Sequence, residues 1–183
     1  MAITVVERWF RQPQVLEPAQ AQPTWRIRAD AVAFVRAYFS IDRTRLACVY
    51  EAPDARAVEL SYRAAGLDFD RAWEARMFRE LMGLPPLDAV GDRATVVVER
   101  SYERPTPLAV VAAQSDAARW CFDANDIDLV DSFMRADGTG SMCVYAAPDA
   151  ESVRRASRTV HFSFDVAWAA TVLEPPAAAS TGM

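Results

Sequence analysis

The chain has 183 residues, of which 52% are apolar and 25% charged, and its 20 basic and 25 acidic residues leave a net charge of −5. That length holds one large domain or two of about 90 residues. All the basic residues are Arg, so a Schiff-base lysine, a Walker lysine and a kinase lysine are excluded. The single histidine, His161, excludes a poly-His metal site, the six glycines form no G-x-G-x-x-G fingerprint, and the acidic balance argues against nucleic acid or an anionic membrane as partner.

In chain order, alternating apolar residues predict a first strand from Ile3 to Phe10. A helix should follow, and Pro18 and Pro23 make it short or broken. Strands over Val32–Ser40 and Arg45–Glu51 flank a D-R-T hairpin turn. A helix starts at Ala52-Pro53-Asp54, with the proline in its first turn, and Gly66 stops it. A fourth strand follows Phe69–Trp73. The pattern then recurs: a strand from Thr95 to Tyr102, a helix over Pro107–Phe122, and strands over Ile127–Arg135 and Ser141–Ala146 around D-G-T-G. A helix from Ala147-Pro148-Asp149 and a strand after Phe164–Trp168 complete it.

The recurrence is visible residue by residue. CVYEAPDA at Cys48 returns as CVYAAPDA at Cys143, and without a gap 18 of the 49 pairs from Trp25/Trp120 to Trp73/Trp168 are identical. VVER at Val5 returns at Val97. Each copy reads β-α-β-β-α-β, the ferredoxin-like split β-α-β unit, with its first and third strands central and both helices on one face. The expected organisation is repeat 1 over residues 1–79, a linker over 80–93, repeat 2 over 94–174 and a disordered tail over 175–183. A sheet covered on one face only leaves an apolar face bare, so the two copies are expected to pack sheet to sheet as an intramolecular pseudo-dimer. The chain would then be a monomer; the alternative is two independent units, each dimerising with another chain.

Three cysteines, Cys48, Cys121 and Cys143, lack C-x-x-C spacing and form no disulfide framework or zinc site; Cys48 and Cys143, within strands, read as buried thiols. The N-terminus has no signal-peptide pattern, and no apolar run approaches the roughly 18–20 residues that span a bilayer. A cytoplasmic location is expected.

The strings VVERWF, FVRAYFS, CVYEAPDARAVE and AAGLDFDRAW resemble a small ferredoxin-like domain family of unknown function, some of whose members are labelled nickel-binding. Usual members are one copy long. The resemblance implies a dimeric α/β barrel, reached here by fusion, so the expected fold class is α+β with two tandem ferredoxin-like repeats. Many members carry a histidine in the second strand, in a W-V-H-S-Y type sequence. Arg36 and Asp131 stand there in this chain, and neither builds a selective nickel site. No cofactor and no metal site are expected.

Strand alternation selects the candidate site residues. Val35, Ala37 and Phe39, with Val130, Ser132 and Met134, read as packing under helices. Phe34, Arg36 and Tyr38, with Leu129, Asp131 and Phe133, read as lining a cavity between the sheets. Arg36 could clamp a carboxylate there, and Asp131 could act as a base. Their alternative is pairing at the sheet rim. Glu7 and Glu99 stand in apolar central strands, where a carboxylate is costly unless paired or useful. They could work as acid and base; otherwise they pair with Arg8, Arg100 or Arg76. The Tyr50 and Tyr145 hydroxyls could orient a ligand. The recurring Trp25, Trp73, Trp120 and Trp168 read as core, and His161 as a helix cap. The expected function is small-molecule binding between the sheets. A cofactor-independent enzyme using the same cavity is the alternative, followed by metal handling or a filled scaffold.

Overall fold

In a computed structural model the described residues are 1–15, 31–77, 84 and 91–175. The expected short helix around Pro18 and Pro23, the side chain of Trp25, most of the linker and the last eight residues lie outside them. The described chain forms eight strands and three helices: β1 (Ala2–Trp9), β2 (Ala33–Ser40), β3 (Arg45–Ala52), α1 (Ala55–Ala64), β4 (Arg71–Met77), β5 (Ala94–Ser101), α2 (Leu108–Asp123), β6 (Asp128–Arg135), β7 (Gly140–Ala147), α3 (Ala150–Thr159) and β8 (Val166–Leu173). This is an α+β architecture in which every strand pairing is antiparallel. Both fourth strands start earlier than expected, because Trp73 and Trp168 already belong to the ladders.

The strands follow one another in the closed order β1-β3-β2-β8-β5-β7-β6-β4. β1 and β3 are central in the first half, and β5 and β7 in the second. β1 and β5 each make eight register pairs with the third strand of their half. The halves join through β2 with β8 and through β4 with β6. These two junctions leave no free edge among the described strands, so no backbone ladder is left open to another chain.

Local chemistry explains the repeated pieces. Asp54 and Asp149 cap α1 and α3, accepting from the backbone N–H of Ala57 at 2.8 Å and of Ser152 at 2.7 Å. Pro53 and Pro148 therefore precede the caps and do not sit in the first turns as expected. Past the last turn, Gly66 and His161 both take left-handed backbone, at φ of 67° and 54°. In each case the next N–H, of Leu67 or Phe162, returns to a carbonyl of the last turn. His161 thus fills the cap position expected of it. Asp42 and Asp137 close the two hairpins by accepting from the N–H and hydroxyl of Thr44 and Thr139.

Three large apolar clusters and a small one around Val111 and Met134 hold these elements. One large cluster lies inside the ring and joins both halves: Val5, Val49, Trp73, Val97, Phe133, Met142 and Trp168 are among its members. The other two large clusters lie between the strands and the helices, around Tyr50, Val58 and Tyr62 in the first half and around Phe122, Tyr145 and Val153 in the second. None of the described helices is long and apolar enough to cross a membrane.

The structure corrects the face assignment in β2 and β6. Both strands bulge against their neighbours, between Phe34 and Arg36 and between Leu129 and Asp131. A bulge inserts one residue and shifts the alternation. Val35 and Val130 therefore turn inward, while Phe34 and Leu129 turn outward under the helices. Beyond each bulge the expected phase holds: Tyr38 and Phe133 face inward, Ala37 and Phe39 outward.

Candidate functional site

The inner face carries the polar residues that matter. β1 alternates Ile3 and Val5 inward, which places Glu7 on the same face near one end of the ring. β5 runs parallel to β1 four strands away, so Glu99 comes to the same end. Each carboxylate is held by the indole of its own half. Trp73 Nε1 donates to Glu7 Oε1 at 2.9 Å, and Trp168 Nε1 donates to Glu99 Oε1 at 2.8 Å.

The arginines differ. Arg71 stands opposite Glu7 across the β1–β4 ladder and approaches Oε2 at 3.6 Å. The corresponding residue opposite Glu99 is Val166. Glu99 instead meets Arg45, from β3 of the other half, at 3.6 Å. Arg135, from β6, lays its guanidinium over the Trp73 ring at 5.4 Å and adds positive charge near Glu7. A Cβ on Gly140 would come within 3.3 Å of Arg135 Nε, so the bare glycine makes room for this arm. Three guanidinia and two carboxylates, drawn from both halves, therefore gather at one end.

The Glu7 side chain is 5% exposed and that of Glu99 17%. Burial pushes the Glu7 carboxyl above its usual value, opposed by the Trp73 hydrogen bond; the Glu99 charge raises it further, and Arg71 and Arg135 pull it down. The result is a carboxyl whose neutral form burial favours, in a place where arginines attract anionic oxygen. Such a cluster can bind an acidic molecule and exchange a proton with it.

The other expected site residues divide. Tyr38 is fully buried on the inner face, and Asp131 lies there as well, 1% exposed, with the Ser132 N–H donating to it at 2.9 Å. Arg36 is inner-facing and half-buried, and its Nη1 meets no acceptor. Tyr50 and Tyr145 are not inside the ring. They follow the inward Val49 and Val144, so alternation turns them toward the helices. There the Tyr50 and Tyr62 hydroxyls share a 2.9 Å hydrogen bond, and Arg100 Nη2 donates to the Tyr145 hydroxyl over a long 3.4 Å. Among the described residues, the ion pairs of the glutamates are with Arg71 and Arg45, not with Arg8, Arg100 or Arg76. Arg8 and Arg100 are the next residues along each strand and face the other way. Trp120 is exposed, whereas Trp73 and Trp168 are buried as expected.

Between the sheets, where a ligand cavity is expected, side chains of the inner cluster pack together. Aromatic residues and Met142 from both halves fill the middle of the ring. Three clefts walled by described residues are lined by no member of that inner cluster. At the Glu7–Glu99 end, Arg45 and Arg71 remain partly exposed. Sequence reasoning passed over Trp73, Trp168, Arg45, Arg71 and Arg135 as site residues. A signal for the indoles was present: V-V-E-R and F-D-x-A-W recur together in both halves, and the ladder sets Val5 opposite Trp73.

Among the described residues no group of three or more His, Cys, Asp or Glu could hold a metal ion. All three cysteines are buried, and burial pushes the Cys48 thiol up to about 11, which keeps it protonated and a poor ligand.

Comparison with known proteins adds the following. Residues 6–74 match the SCO4226-like family, described as nickel responsive protein SCO4226-like. No curated protein matches. Among solved structures, a candidate chlorite dismutase, TA0507, is similar over 95% of this chain and 96% of its own, at 11% identity and a TM-score of 0.49. A candidate monooxygenase from Fusobacterium nucleatum is similar over 94% and 92%, at 12% identity and 0.46. An anthrone oxidase-like protein is similar over 96% and 92%, at 9% identity and 0.45.

Proposed function

We propose that this protein is a small-molecule-binding protein that takes an acidic ligand at the Glu7–Glu99 end of the strand ring. In this reading the chain is two fused copies of a β-α-β-β-α-β unit, closed on itself as a pseudo-dimeric α/β barrel that works as a monomer. The observation that carries the proposal is the paired carboxylates, each fixed by an indole N–H, beside three arginines. Losing the indole bond to either carboxylate costs about 1.5–3 kcal/mol, and a chain that needed only a filled ring would do as well with apolar residues there. Arg71, Arg45 and Arg135 would take the ligand's anionic oxygen, and Glu7 would accept or donate the proton beside it.

A second reading is a cofactor-independent enzyme, favoured by the upward shift of Glu7. A carboxyl raised toward working pH is better suited to proton transfer than an ordinary one. Nickel, which the family description suggests, does not fit the donor set. The second-strand position that would carry a histidine holds Arg36, its counterpart is Asp131, and the nearby thiols face the helices. No step is assigned to a metal.

Native mass spectrometry of the purified protein tests the proposal. The expected result is one chain carrying an organic adduct that is lost in the Arg71→Met/Arg135→Met double variant. A bare chain, or an adduct retained by the variant, contradicts it. A mass increment of a divalent metal would return the family description to consideration.

A further inference from the structure

The bulges that turn Phe34 and Leu129 outward lead to different packing in the two halves. Phe34 pairs with Tyr50 across the β2–β3 ladder, and Leu129 pairs with Tyr145 across β6–β7. In the first half a phenyl ring therefore lies against the tyrosine: the Phe34 and Tyr50 rings meet edge to face at 5.6 Å. In the second half the same ladder position holds a leucine, and Tyr145 stacks on Phe122 of α2 at 5.5 Å. Tyr62 and Ser157 repeat the contrast at the eighth residue of α1 and of α3. The Tyr62 ring meets Tyr50 at 5.9 Å, whereas Ser157 has no ring to offer, and Arg100 reaches the Tyr145 hydroxyl at 3.4 Å.

Beside Tyr145 and Leu129 the second half has a cleft of about 140 Å³, with Phe122, Ile127 and Phe162 as further apolar walls. Phe122, Ile127 and Tyr145 are buried, while the charged residues that line the cleft, Arg119, Asp123 and Asp128, are exposed. The floor is thus apolar and the charge stands at the rim. An apolar hollow of about 150 Å³ lined by side chains of this kind accepts a benzene ring. Left empty, it forfeits dispersion contacts along its walls.

We propose that this cleft is a binding site for a small uncharged aromatic ring, which takes against Tyr145 the place that Phe34 takes against Tyr50. The first half names the occupant, because there the chain itself supplies a phenyl ring to the tyrosine. The volume fits one such ring, and burying a charge on the apolar floor would be costly. The site lies outside the strand ring and does not depend on the ring end.

Fluorobenzene is the probe, with 4-fluorobenzoate as its charged counterpart, and the full-length protein is titrated with each. The methyl signals of Ile127, in the cleft, and of Ile3, in the ring interior, report where the probe sits. Saturable binding of fluorobenzene with a dissociation constant on the order of 1 mM is expected, with a shift at Ile127 and none at Ile3. 4-Fluorobenzoate should bind about tenfold more weakly or worse. Leu129→Phe supplies the ring from the chain and should abolish binding in a folded protein. Ser115→Phe, which fills the cleft from a half-buried position of α2, should do the same, and it decides the matter if Leu129→Phe does not fold. No saturable binding, binding retained in a folded filled variant, or equal affinity for the acid would overturn the proposal. A shift at Ile3 without one at Ile127 would also overturn it, and would place the probe inside the strand ring.

Discussion

The two glutamates occupy equivalent strand positions and make the same indole hydrogen bond, yet their surroundings differ. Glu7 is enclosed and meets an arginine of its own half across the ladder. Glu99 is more open and borrows Arg45 from the other half, because Val166 stands where an arginine would be needed. At the other end of that borrowing, Gly140 takes the position in β7 that Arg45 takes in β3, and Arg135 fills the room. The difference teaches that the two halves form one electrostatic site and not two copies of one. The charges that meet there cross the junctions between the halves, which leaves the end asymmetric.

The largest effect expected from breaking this comparison is in the indoles. Trp73→Phe removes the donor to an enclosed carboxylate and should destabilise the protein at pH 7 by about 2–4 kcal/mol. Trp168→Phe leaves a carboxylate that water can reach and should cost about 1 kcal/mol. Urea unfolding of the two variants measures the gap; equal losses would show that the enclosure of Glu7 has no energetic consequence. Gly140→Ala comes next. Its Cβ would lie 2.6 Å from the Arg100 carbonyl oxygen, a backbone atom, and would press on Arg135. A loss of about 1–3 kcal/mol is expected, again read by urea unfolding.

Glu7→Gln acts mainly on pH dependence. A carboxyl raised in the folded state contributes stability below its unfolded value of 4.5, and that contribution is lost as pH rises through the higher folded value. The variant should therefore remove the decline in stability that begins near pH 4.5 and extends upward. Thermal melts across that range, compared with those of Glu99→Gln, detect it. The smallest effect concerns the helix ends. His161→Gly replaces a left-handed histidine by the residue that the first half uses at Gly66, and should add about 0.5–1 kcal/mol.

Much of this fold was legible from the sequence because apolar alternation and turn chemistry report on neighbours close in the chain. Val32–Ser40 and Ile127–Arg135 read as strands, and the observed β2 and β6 start one residue later. The bulges were hidden: an extra residue in an apolar strand leaves the hydrophobic pattern plausible in either phase, so Phe34 and Val35, like Leu129 and Val130, were assigned to the wrong faces. The site was half legible. A carboxylate in an apolar central strand marks itself, and Glu7 and Glu99 were found that way. Their partners were not, because Arg45 and Arg135 arrive through β-strand junctions between residues far apart in sequence. Tyr50 and Tyr145 were selected for their hydroxyls although the alternation around Val49 and Val144 already turned them toward the helices.

The most direct test of a shared site is the titration of Glu7 itself, followed by carboxyl carbon NMR in the wild type and in Glu99→Gln. A Glu7 midpoint above 4.5 that falls when Glu99 is neutralised is the expected result. A midpoint at or below 4.5, or one that Glu99→Gln leaves unmoved, would show that the two halves keep separate carboxylates and would contradict the account.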